Sequence, residues 1–139
     1  MIVTYLCWTM NHNGNNFVKT MLCLAETRDE LSVVADQIGS PTNAADLAKA
    51  ILMVLPQIEN TSPEIYHYSN QGVCSWYDFA QAIFELSKLQ TLVKAIETVK
   101  YPTPAKRPEV SVLNKKKIKT AYGLKIESWY LSLIKTLNS

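Results

Sequence analysis

Glycine, cysteine and histidine are all scarce in this chain of 139 residues, and each scarcity removes a class of chemistry. The four glycines, Gly14, Gly39, Gly72 and Gly123, are too scattered to cradle a phosphate against clustered backbone amides. Three cysteines, Cys7, Cys23 and Cys74, are odd in number and far apart, which fits neither a disulfide framework nor a paired metal-ligand motif and points to a reducing, cytoplasmic setting. His12 and His67 have no second ligand at metal spacing and no attachable Ser or Cys partner, so both read as structural or exposed and no metal site is expected. Charge is nearly balanced, 14 basic against 12 acidic residues for a net +2, which leaves no excess to hold nucleic acid or a membrane surface. The longest apolar run, residues 50–56, is far short of the roughly 20 residues that cross a bilayer. Residues 1–8 lack the basic start and cleavage pattern of a signal peptide.

What is present is 47% hydrophobic content, enough for one independent core in a chain too short for two ordinary domains. Residues 1–8 read as an apolar strand that gives way to the polar loop 11–15. With Asn15 or Asn16 as cap, Phe17, Val18, Met21, Leu22 and Ala25 repeat at helical spacing and predict a helix ending near Arg28. Residues 31–35 predict a short strand, and beyond a Gly39-Ser40-Pro41 turn Asn43 caps a helix that stops at Pro56. Its expected apolar stripe is Ala44, Leu47, Ala48, Ile51, Leu52 and Leu55, with Asp46 at the positive end of the helix dipole. Further on, residues 65–68 alternate like a strand, Ser75 and Asp78 form a capping box, and Trp76, Phe79, Ala80, Ile83 and Phe84 face inward from the helix that follows. Residues 92–99 are a further strand candidate, and the prolines of residues 101–108 hold that segment extended. Asn114 and Gly123 bracket a short helix with Ile118, Ala121 and Tyr122 inward, and Ser128 starts the last one. Alternating strands and helices make this an α/β chain with short, mostly parallel strands and flanking helices.

Candidate site residues gather where strands end. Asp36 and Gln37 follow a β-branched run and precede a tight turn and a helix, the carboxyl-terminal strand edge at which open α/β sheets bind ligands. Asn15 and Asn16 offer the free amides of a helix start, or serve simply as its cap. Arg107, held between prolines, loses less entropy than a mobile arginine on gripping a diphosphate. Trp8 either stacks on a base or sugar or fills the core, and the residues leave both open. The Lys115-Lys116-Lys117-Ile118-Lys119 run reads mainly as a solvated helix face, with phosphate contact the lesser alternative. No cluster of carboxylates suits acid/base catalysis, and no catalytic residue is assigned.

Several ordered blocks carry a resemblance: Trp8, residues 14–22, the run Val33-Val34-Ala35-Asp36-Gln37-Ile38-Gly39-Ser40-Pro41-Thr42, residues 66–70, residues 74–80 and Arg107-Pro108. Together they resemble dTDP-4-dehydrorhamnose reductase, an extended short-chain dehydrogenase/reductase, over nearly the whole chain but only its carboxyl-terminal half. The resemblance implies that residues 1–139 form a sugar-nucleotide (substrate) binding domain, with the Rossmann cofactor half missing and no dinucleotide-binding domain. It implies a dTDP-sugar ligand, with Trp8, Asn15, Asn16, Gln37 and Arg107 in the segments that line the cleft. It also implies NADPH or NADH as cofactor of the full-length family, and a separately encoded amino-terminal half as partner. That half carries the family's glycine fingerprint and Tyr-x-x-x-Lys pair; here no tyrosine is followed by lysine four positions later. Tyr5, Met10 and Asn43 depart from the family pattern, in which arginine, an aromatic residue and tyrosine are usual. Expected functions are therefore the substrate-binding portion of a reductase, inactive alone, or a non-catalytic binding or regulatory module, or a remnant of a truncated reductase.

Overall fold

The computed structural model describes residues 9–10, 14–59, 62–104 and 106–138. The expected strand at residues 1–8, with Trp8 in it, and the expectation for His12 lie outside the described residues. Strand β1, Thr9–Met10, pairs in parallel with β4, Thr42–Asn43. Strand β2, Glu30–Val34, pairs in parallel with β6, Leu92–Ile96, and β3, Ile38–Gly39, pairs antiparallel with β5, Cys74–Ser75. Parallel pairing predominates, as the sequence pattern leads one to expect.

Helix α1, Phe17–Ala25, starts where Asn16 turns extended and its side chain accepts from the Lys19 N–H at 3.2 Å. It ends before the predicted Arg28, in a turn where the Thr27 N–H donates to the Leu24 carbonyl. Helix α2, Ala44–Val54, is capped by Asn43, whose Oδ1 accepts from the Ala45 and Asp46 N–H groups at 2.8 and 3.1 Å. A 3₁₀ turn, Leu55–Gln57, carries Pro56 beyond it. Helix α3, Trp76–Leu86, has the predicted capping box, the Ser75 hydroxyl accepting from the Asp78 N–H while Asp78 accepts from the Ser75 N–H. Helix α4, Lys116–Tyr122, has Lys115 at its N-cap position with no side-chain capping bond, while Asn114 Oδ1 accepts from the Lys116 N–H at 2.9 Å; Gly123 ends the helix in the left-handed region at φ +62°. Helix α5, Trp129–Leu137, begins at the predicted Ser128.

The core has two parts. Val18 and Met21 of α1, Phe79, Ile83 and Phe84 of α3, Leu31, Val33 and Val93 of the β2–β6 pair, and Leu133 form the first. Removing a side chain such as Phe79 from water contributes about 1.5–3 kcal/mol. Leu47, Ala50 and Val54 of α2 form the second with Tyr66, Tyr68, Ile118 and Leu124.

Three expectations are corrected here. The stripe of α2 is rotated: Leu47, Ala50 and Val54 are buried, whereas Ala48 is exposed and Leu52 and Leu55 are 69% and 53% exposed, because α2 meets its neighbours along one narrow line only. Residues 65–68 do alternate, with Tyr66 and Tyr68 buried and Ile65 and His67 exposed, but among the described residues they have no strand partner. Alternation reports which face is covered, whereas a strand needs a ladder as well. On α4, Ala121 is exposed while Ile118 is buried.

Candidate functional site

The β2–β6 pair ends on a small polar clamp. Strand β6 stops at Ile96, not at the predicted residue 99, because the Asp36 carboxylate captures the Thr98 N–H at 2.9 and 3.0 Å and the Thr98 hydroxyl at 2.6 Å. These hydrogen bonds from Thr98 hold the Asp36 carboxyl below the usual carboxylate range. The same hydroxyl oxygen accepts from Gln37 Nε2 at 3.0 Å. Gln37 is buried, so its amide is oriented by Thr98 rather than by solvent.

Strand β3 ties this clamp to distant parts of the chain. The Ile38 N–H donates to the Glu109 carbonyl at 2.7 Å, and the Ile38 carbonyl accepts from the Ser111 N–H at 2.8 Å. Exposed Arg107 is thereby tethered, two residues before Glu109, to the strand that begins beside Gln37. On its other side β3 meets Ser75, the cap of α3, and Trp76 packs 4.6 Å from Phe17, the first residue of α1. The segments that carry Asn16, Gln37 and Arg107 are therefore connected through β3, the start of α3 and the start of α1. Asn15 is exposed beside Asn16, and the Asn16 side chain is occupied as a cap.

Sequence reasoning missed a buried polar knot behind this edge. Asn70 is fully buried, with its amide nitrogen 2.8 Å from Asp46 Oδ2, 2.9 Å from the Ser132 hydroxyl and 3.2 Å from the Glu127 carbonyl. Its Oδ1 accepts from the Asn43 N–H at 2.7 Å, and Asn43 Nδ2 donates to the Thr136 hydroxyl at 2.8 Å. Asp46, read as a helix-start carboxylate, also accepts from Ser132 and so links α2 to α5. Nothing in the local pattern around Asn70 distinguishes it from a turn asparagine.

The lysine run is corrected as well. Lys115 is buried and donates to the Ser69 hydroxyl at 3.0 Å and the Asn70 carbonyl at 3.3 Å; burial first, then nearby Lys119, push its ammonium below the ordinary lysine range. Lys117 pairs with Glu64 at 2.8 Å and lies 4.7 Å from the centre of the Tyr66 ring. Only Lys116 and Lys119 keep the solvated role. A pairing of Lys115 with Ile118 at helical spacing is the one signal that marks Lys115 as inward.

Gly14 precedes α1, Gly72 faces the Trp129 indole and Gly123 caps α4, so no two of these share a helix start. Among the described residues there is no group of three or more metal-ligating side chains, and no helix is long and apolar enough to cross a membrane. Two concavities lie away from the Gln37 edge. One, of about 420 Å³, sits between α2 and residues 124–127, and the other is an open trough along α4 beside His67.

Comparison with known proteins gives this edge a context. A family model described as RmlD substrate binding domain matches residues 1–139. The chain is 48% identical over 122 residues to the spore coat polysaccharide biosynthesis protein SpsK of Bacillus subtilis, covering 88% of this chain and 41% of that protein. It is 45% identical over 141 residues to a dTDP-4-dehydrorhamnose reductase of Aggregatibacter actinomycetemcomitans, covering 95% of this chain and 48% of that one. The crystal structure of a dTDP-4-dehydrorhamnose reductase from Clostridium acetobutylicum matches with a TM-score of 0.89 at 39% identity, over 99% of this chain and 47% of that chain. That of Bacillus anthracis, in complex with NADP, matches with a TM-score of 0.84 at 37% identity, over 99% and 46%. The chain thus spans about half the length of the relatives it matches.

Proposed function

Because the chain belongs to the RmlD substrate binding domain family, we propose that it forms the sugar-nucleotide wall of a dTDP-4-dehydrorhamnose reductase, the enzyme that reduces dTDP-4-dehydro-L-rhamnose to dTDP-L-rhamnose with NADPH or NADH. The observation that carries this reading is the pairing of Ile38 with Glu109 and Ser111. It brings an exposed arginine between prolines to the strand edge where Gln37 is held by Thr98. A guanidinium there suits a diphosphate, and an amide fixed by one N–H keeps its other polar atoms for a sugar or a base. Asn15 and Asn16 stand at the start of α1 on the same chain of contacts, and Trp8, two residues before the buried Met10, is assigned to stack against the nucleotide.

The chemical step needs a hydride donor and a proton donor held against the same ketone. The four glycines are scattered along the sequence, which contains no Tyr-x-x-x-Lys pair. The cofactor and the proton source are therefore assigned to a separate amino-terminal half, and this chain to binding in the cytoplasm without turnover of its own. Two of the departures from the family pattern are absorbed by the core: Met10 is fully buried, and Asn43 serves as cap and hydrogen-bonds Thr136.

Calorimetric titration with dTDP-rhamnose tests the binding role, and mixing with an amino-terminal half tests the catalytic one. Saturable binding that weakens by roughly 10- to 100-fold in Arg107→Gln is expected, the loss of a hydrogen-bonded charge being about 1.5–3 kcal/mol. Restored NAD(P)H oxidation on mixing is expected too. Absence of dTDP-rhamnose binding, with a tight complex to another protein instead, would identify a regulatory module.

A further inference from the structure

Gln37 carries a polarity that its neighbours impose. At neutral pH the Asp36 carboxylate only accepts, so the 2.6 Å contact takes the single proton of the Thr98 hydroxyl. The Thr98 N–H, 2.9 and 3.0 Å from the same carboxylate, anchors that residue through its own backbone. Toward Gln37 the hydroxyl is left with lone pairs alone, and the 3.0 Å contact is met only by an N–H of Nε2. The reversed amide would set Oε1 against the Thr98 oxygen with no proton between them.

The opposite corner of the amide is therefore fixed as well. Gln37 is only 8% exposed, and its Oε1 receives no hydrogen bond among the described residues. No sealed side-chain polar atom among them lacks a partner, so Oε1 lies where solvent or a ligand reaches it. Gln37 stands just beyond β2, at the carboxyl-terminal edge where open α/β sheets take ligands. An acceptor held there is answered by a ligand O–H or N–H, whereas ionised phosphate oxygens bring no proton and would leave Oε1 unmet.

We propose, resting on the sugar-nucleotide reading of this edge, that Thr98 positions Gln37 with Oε1 outward to accept from a ligand donor, either the thymine imide N–H or a hydroxyl of the hexose. The diphosphate is then left to Arg107, and Gln37 selects for one of the groups on either side of it. An amide oriented before binding loses little freedom when the ligand arrives.

Calorimetric titrations of the full chain with dTDP, N3-methyl-dTDP and dTDP-rhamnose separate the two donors. With the imide as donor, N3-methylation weakens dTDP binding about tenfold, and by no more than about threefold in Gln37→Met. With a hexose hydroxyl as donor, dTDP-rhamnose binds at least about fivefold tighter than dTDP, and the advantage disappears in Gln37→Met. Thr98→Val is expected to shrink the same ratio about threefold and Thr98→Ser to restore it, and this pair decides the matter if Gln37→Met does not fold. A merely structural Thr98 would shift the affinities of all three ligands together and leave their ratios unchanged. Absence of both discriminations in the unaltered chain, or ratios that survive Thr98→Val, would overturn the proposal and leave the sugar-nucleotide reading standing. Failure of all three ligands to bind would overturn both.

Discussion

Replacing Asn70 by alanine is the most informative perturbation of the fold, because this one side chain joins α2 to the segment that enters α5. The change removes the acceptor of the Asn43 N–H and the amide donor that reaches Asp46 and Ser132. The Glu127 carbonyl keeps the Gln71 N–H at 2.8 Å, and Asp46 keeps the Ser132 hydroxyl, so these are weakened and not orphaned. An unsatisfied buried N–H costs about 1–3 kcal/mol and a lost hydrogen bond to a charged group about 1.5–3 kcal/mol. Together the expected loss is about 3–5 kcal/mol, a large share of the roughly 5–15 kcal/mol that holds a domain folded. Urea unfolding followed by tryptophan fluorescence measures it directly. With a slope of about 1–3 kcal/mol per M, the midpoint should fall by roughly 2 M at unchanged slope. A double-mutant cycle with Asp46→Ala should show coupling above about 0.5 kcal/mol. A loss below about 1 kcal/mol, or additivity of the two changes, would refute the idea that Asn70 organises the knot.

Gly72→Ala should destabilise by about 1–3 kcal/mol, since φ is +92° and a Cβ would stand 3.0 Å from Trp129 Cδ1. Gly123→Ala, at φ +62° with open space around it, should cost only about 1 kcal/mol, and equal melting shifts for the two would refute the steric account. Burial first, then Asp78, push the Cys74 thiol up to about 12. In a Cys7→Ser, Cys23→Ser background it should therefore resist a thiol reagent at pH 8 until urea is added, and rapid labelling of the folded chain would contradict this. Asp36 is held below its ordinary pKa by Thr98, so its stabilising effect is complete above the ordinary carboxylate range and is lost as pH falls through the lowered value. Melting curves of Thr98→Val, which keeps the backbone N–H on Asp36, should show a smaller acid-side loss, and an unchanged acid limb would exclude the Thr98 hydroxyl as its source.

Much of the fold was legible where the signal is local. The caps at Asn16, Asn43, Ser75 and Ser128 all hold, because a cap is a hydrogen bond between residues two or three apart. The inner face of α3 holds as well, since that helix is covered along a broad stripe. The stripe of α2 was misjudged at Leu52 and Leu55, which are apolar and exposed. Periodicity says which residues share a face, but not how wide a face the neighbours cover.

The candidate site divides along the same line. The run from Val33 to Thr42, with Arg107-Pro108 and the Asn15-Asn16 step, marked by residue identity alone which family this chain belongs to. The local energetics of caps, turns and prolines settled most element starts in the same way. Only tertiary structure decided that Thr98 holds both Asp36 and Gln37, that Ile38 brings the Arg107 segment beside them, and that Lys115 turns inward to Ser69 while Asn70 ties α2 to α5. Each of these contacts joins residues tens of positions apart. Such a contact forms only after the chain closes a long loop, so its partners are chosen by packing and not by spacing along the sequence.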